Sequence, residues 1–107
     1  MSSETDRDEQ SSTATIRKEK LQAPRMYKVI MHNDDYTTME FVIHVLQKYF
    51  QKNEAEAHAI MLEVHTRGFG VCGIFTYEVA ESKAAKVTKY ARDNGHPLKC
   101  STDPCDS

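Results

Sequence analysis

The chain has 107 residues, a length that suits one small domain, and a net charge of −2 from 14 Lys and Arg against 16 Asp and Glu. Its basic residues are scattered, which excludes the clustered footprint of a nucleic-acid binder, and no apolar run approaches the ~20 residues that cross a bilayer. The three cysteines, Cys72, Cys100 and Cys105, are odd in number and form no CxxC pair, so neither a disulfide framework nor a zinc site is indicated, and a reducing cytoplasm is the simplest setting.

Residues 1–24, MSSETDRDEQSSTATIRKEKLQAP, hold only Met1, Ile16 and Leu21 as large apolar residues. Such a stretch cannot bury enough surface to offset its ordering entropy and is read as a disordered tail. It is too acidic for a transit peptide and has no apolar h-region. The folded domain is expected over 25–103, with 104–107 a loose end.

MYKVIMHN alternates Met26, Lys28, Ile30 and His32 with Tyr27, Val29, Met31 and Asn33, which predicts a first strand. From Thr37 the period becomes helical, with Met39, Val42, Ile43, Leu46 and Phe50 on one stripe, opened by a capping box of Thr37 or Thr38 with Glu40. A second box, Asn53 with Glu56, opens a helix with Ala57, Ile60, Met61 and Val64 on one face and His65 extending it. Gly68 and Gly70 end that helix.

VCGIF predicts a second strand with Gly73 as a bulge. Thr76 is placed to cap a third helix with the stripe Ala80, Ala84, Val87 and Ala91, which stops at DNGHP. LKCST predicts a last strand. The order β, α, α, β, α, β points to an α+β fold: a small three-stranded antiparallel sheet covered on one side by three helices.

No G-x-S-x-G, H-E-x-x-H, P-loop or Rossmann glycine pattern occurs, so catalysis is unsupported. His58 and His65 are too far apart on a helix to share one ion, and Asp34-Asp35 lacks the spaced oxygens of a calcium loop. Carboxylates are favourable near a helix N-terminus. With threonine and Glu40 able to cap, Asn33, Asp34 and Asp35 stand as surplus acceptors at a strand-to-helix junction. His65, one turn from Met61, reads either as a core histidine or as a partner for that cluster.

MYKVIMHNDDYTTMEFVIHVLQKYF and AIMLEVHTRGFGVCGIFTYEVAESKAAKVTKYARDNGHPLKC, in that order, closely resemble the ClpS family, adaptors that bring N-degron substrates to the Clp protease. The likeness spans about residues 25–101. It implies a non-enzymatic adaptor that binds the free α-amino group and bulky first side chain (Leu, Phe, Tyr or Trp) of a substrate. By that resemblance Asn33, Asp34 and His65 hold the amino group. Asp35, Thr37, Met39, Val42, Met61, Val64 and Leu98 form or frame the side-chain pocket, and Met39 crowds β-branched first residues.

Glu78 and Lys83 match family positions that dock the N-terminal domain of a ClpA-type unfoldase, and the tail serves delivery. A cytoplasmic monomer is expected, with no cofactor, metal, nucleic acid or membrane partner. The sequence departs from the family at Thr38, where many members have proline. The alternative is a non-catalytic interaction module that docks a large assembly without reading N-termini.

Overall fold

Alternating β-branched and aromatic residues from Met26 place Val29 and Met31, both fully buried, on the inner face of a strand, β1 (Met26–His32). It is the central strand of the sheet. β2 (Phe69–Thr76) and β3 (Lys99–Pro104) flank it, each antiparallel, in the order β2-β1-β3. The computed structural model describes residues 24–106, so the tail reading over 1–24 lies outside the described residues except for Pro24.

Three helices, α1 (Met39–Phe50), α2 (Glu54–Arg67) and α3 (Tyr77–Asp93), complete the expected α+β order βααβαβ. Their apolar stripes meet the inner sheet face in one core. Val45, Leu46, Ala57, Val87 and Leu98 pack there with Val29, Met31 and the free, buried thiols of Cys72 and Cys100. A hydrogen bond with Cys100, and then burial, push the Cys72 thiol far above its ordinary value, so it stays an inert packing group.

Sequence and structure part at several helix and strand ends. The cap of α1 is Thr38, whose hydroxyl accepts from the Phe41 N–H at 3.1 Å, while the Thr37 hydroxyl is engaged elsewhere. Thr76 occupies the cap position of α3 without a side-chain cap bond. The bulge falls one residue before the expected Gly73: Val29 faces Gly73, Ile30 faces Val71, and Cys72 is the extra residue.

β3 runs on to Pro104, past the expected end at residue 102. The segment read as a loose end over 104–107 is tied down through residue 106. The Cys105 N–H donates to the Met26 carbonyl at 2.9 Å, and Arg25 pairs with Asp106 at 3.1 Å. Proline is tolerated there because β3 lies at the edge of the sheet.

The box opening α2 is complete. The Glu56 N–H donates to Asn53 Oδ1 at 2.8 Å, and the Asn53 N–H donates to Glu56 Oε1 at 2.9 Å. Replacing Asn53 by Ala should therefore cost about 1 kcal/mol of unfolding free energy in urea titrations. Asn53→Asp should retain most of it, since either side chain presents a capping oxygen.

Candidate functional site

Two backbone features bring the junction after β1 against the end of α2. Gly68 ends α2 with φ at 92°, a left-handed cap that turns the chain toward β2. The Gly68 carbonyl then accepts the Asn33 N–H at 2.9 Å, which fastens the Asn33-Asp34-Asp35 turn to the helix end bearing His65. Close packing of α2 on β2 depends on Gly70. A Cβ there would lie 2.8 Å from Val64 Cγ2 and 3.4 Å from the Ile60 carbonyl oxygen.

Between this turn, α1 and α2 lies a cavity of about 230 Å³, lined by Asn33, Asp34, Asp35, Thr37, Met39, Val42, Met61, Val64 and His65. Its floor is apolar and buried, with Val42, Met61 and Val64 at 6%, 4% and 3% exposure. Its rim is polar, with Asn33, Asp35 and His65 exposed. Met39, 47% exposed, stands at the mouth. The volume is below the ~300–1,000 Å³ usual for drug-sized ligands, so the space suits one side chain rather than a cofactor.

Asp34 organises the turn. Its Oδ1 accepts the N–H groups of Tyr36 and Thr37 at 2.8 and 2.7 Å, and its Oδ2 accepts the Thr37 hydroxyl at 2.6 Å. Partial burial alone would push the Asp34 carboxyl up. The Thr37 hydroxyl, the Thr37 and Tyr36 N–H groups and nearby His96 outweigh burial, and the carboxyl sits below its ordinary value. His96 is held close by stacking on Phe41, with ring centroids 4.0 Å apart.

A carboxylate offers about four lone-pair sites, so three donors leave one on Asp34. The side chains of Asn33, Asp35 and His65 bond to no other described residue. Of the surplus acceptors expected from sequence, Asn33 and Asp35 are free and Asp34 keeps one lone pair, and exposed His65 joins them on the rim. Such a rim suits a compact cation with several donors, set above an apolar hollow.

Leu98 is not among the lining residues: it is buried in the core. Lys83 and Glu78 lie away from the cavity. Lys83 Nζ donates to the Tyr49 carbonyl at 2.8 Å and sits over the rings of Phe50 and Phe75, tying α3 to the end of α1. Glu78 is exposed in the first turn of α3, beside Tyr77 at 53% and Val79 at 44% exposure. Sequence reading passed over these two, although both fall off the Ala80-Ala84-Val87-Ala91 stripe. Among the described residues no helix is long and apolar enough to cross a membrane, and no group of three His, Cys, Asp or Glu could hold a metal ion.

A protein-family model described as ATP-dependent Clp protease adaptor protein ClpS matches residues 22–101. The ATP-dependent Clp protease adapter protein ClpS of Rhodospirillum centenum is 56% identical over 98 residues, covering 90% of this chain and 91% of that one. The Gluconobacter oxydans protein of the same name is 61% identical over 80 residues, covering 75% of this chain and 67% of that one. A solved structure of Agrobacterium tumefaciens ClpS2 bound to L-phenylalaninamide superposes with a TM-score of 0.74 at 36% identity. It covers 77% of this chain and 99% of that one.

Proposed function

This chain belongs to the ClpS family of ATP-dependent Clp protease adaptor proteins, and we propose that its cavity receives the first residue of an N-degron substrate for delivery to a Clp unfoldase. The observation that carries this reading is the polar, acidic rim over a buried apolar floor. An α-ammonium has three donors. Asn33, the remaining lone pair of Asp34, and an unprotonated ring nitrogen of His65 would supply three acceptors, while Asp35 adds negative charge. The side chain of Leu, Phe, Tyr or Trp would fill the hollow over Val42, Met61 and Val64, gaining about 1.5 to 3 kcal/mol by burial. Met39 would narrow the mouth against β-branched residues.

The L-phenylalaninamide held by the Agrobacterium relative supports this reading, since that ligand has a free α-amino group and an aromatic side chain. The chain would act without catalysis and in the cytoplasm. Exposed Glu78, Tyr77 and Val79 would form the docking surface for the N-terminal domain of a ClpA-type unfoldase, a setting in which aromatic residues are favoured. Lys83 would join that surface while anchored on Tyr49. Residues 1–24 would serve delivery. The test is a fluorescence titration with a labelled peptide beginning in free Phe. Micromolar or tighter binding, about −8 kcal/mol, is expected, and no saturable binding would overturn the assignment.

A further inference from the structure

The chain has five methionines, and Met26, Met31, Met39 and Met61 fall among the described residues. Met31 is fully buried in the core and Met61 is 4% exposed on the cavity floor, which leaves little of either for a solvent-borne reagent to reach. Met26, 37% exposed, opens β1 and is not part of the cavity lining. Met39 combines the two properties: it is 47% exposed and it lines the cavity.

Met39 is the first residue of α1, directly after the Thr38 cap, with buried Val42 three residues on. Residues three apart share a helix face, so Met39 stands over the apolar floor at Val42 with its outer half in solvent. A thioether is apolar and makes favourable contacts with aromatic rings. A bulky first side chain entering the hollow would cover that outer half.

Hydrogen peroxide oxidises an accessible thioether in one step. The sulfur lone pair attacks one peroxide oxygen, the O–O bond breaks and an S–O bond forms. The other oxygen takes up the proton shed by the first and leaves as water. The product is a polar, chiral sulfoxide, which methionine sulfoxide reductases return to the thioether.

We propose that Met39 is a modification site, at which oxidation by peroxide reversibly weakens the cavity's hold on a bulky first residue. The inference rests on the first-residue reading of the cavity. Seating an apolar side chain against a sulfoxide strips water from its oxygen, a cost that the thioether does not carry.

The full chain is treated with hydrogen peroxide, the peroxide is removed, and oxidation is mapped by peptide mass spectrometry. A labelled, methionine-free peptide beginning in free Phe is titrated before and after. Sulfoxide is expected at Met26 and Met39 and not at Met31 or Met61, with an unchanged circular dichroism spectrum. Affinity should fall about tenfold and recover after treatment with reductases specific for the two sulfoxide epimers.

Met39→Leu, whatever affinity it starts from, should hold that affinity through the same treatment, even though Met26 and the half-buried Cys105 remain open to oxidation in it. Saturating peptide during the treatment should slow oxidation at Met39 and leave Met26 unprotected. Three results overturn the proposal: Met39 left unoxidised while Met26 reacts, an oxidised Met39 that binds as tightly as before, or an equal loss in Met39→Leu. Failure of the untreated chain to bind the peptide overturns the cavity reading itself.

Discussion

A peptide beginning in Phe should lose at least about a hundredfold in affinity when its α-amino group is acetylated. Acetylation removes the charge and two of three donors while leaving the aromatic side chain intact. Each charge-assisted hydrogen bond contributes about 1.5 to 3 kcal/mol, so two account for about 3 kcal/mol or more. The acetyl group also sets apolar bulk against the acceptors of Asn33, Asp34 and His65, which line the same cavity. Parallel titrations of the free and acetylated peptides measure the difference. Equal affinity would mean that side-chain burial alone drives binding and that the rim has no part in it.

Asp34→Ala should weaken the free peptide by at least about thirtyfold, or 2 kcal/mol, the low end for deleting one partner of a hydrogen-bonded charge pair. Two losses combine: the carboxylate facing the ammonium, and the three bonds that shape the turn from Asp34 to Thr37. Asp34→Asn would keep an acceptor for the turn but not the charge, and should fall between wild type and Ala.

The same residue shapes the acid limb of stability. Because the folded-state carboxyl lies below its ordinary value, its contribution is present above the unfolded value of about 3.9. That contribution disappears as pH falls through the lower folded value. Wild type should therefore lose part of its stability below about pH 4, and Asp34→Ala should show a shallower decline there in urea midpoints read by circular dichroism.

The helices were legible because their cues are local. The Val42-Leu46-Phe50 and Ala80-Ala84-Val87-Ala91 spacings coincide with buried positions, and the Asn53-Glu56 box forms as its sequence implies. The opening of β2 was less legible. Phe69 and Gly70 read as part of a glycine turn, yet pairing places Gly70 opposite Met31, and its missing side chain makes room for Val64. Likewise Asp103 and Pro104 are poor strand formers by composition, and only the ladder to Tyr27 and Lys28 holds them extended.

At the site, sequence identified the acceptor-rich junction but not the division of labour within it. Asp34 takes its own turn as partner, and that depends on where Tyr36 and Thr37 direct their N–H groups. Leu98, which the resemblance gave as forming or framing the pocket, is buried in the core and does not itself line the cavity.

Placing β1 in the middle of the sheet has a mechanical corollary. A pull on the chain at Arg25 would not peel away a border strand. It would have to shear Met26–His32 from neighbours on both sides at once, against the added clasp of Cys105 on Met26 and Asp106 on Arg25. An adaptor loaded from that end would resist being unravelled along with its cargo.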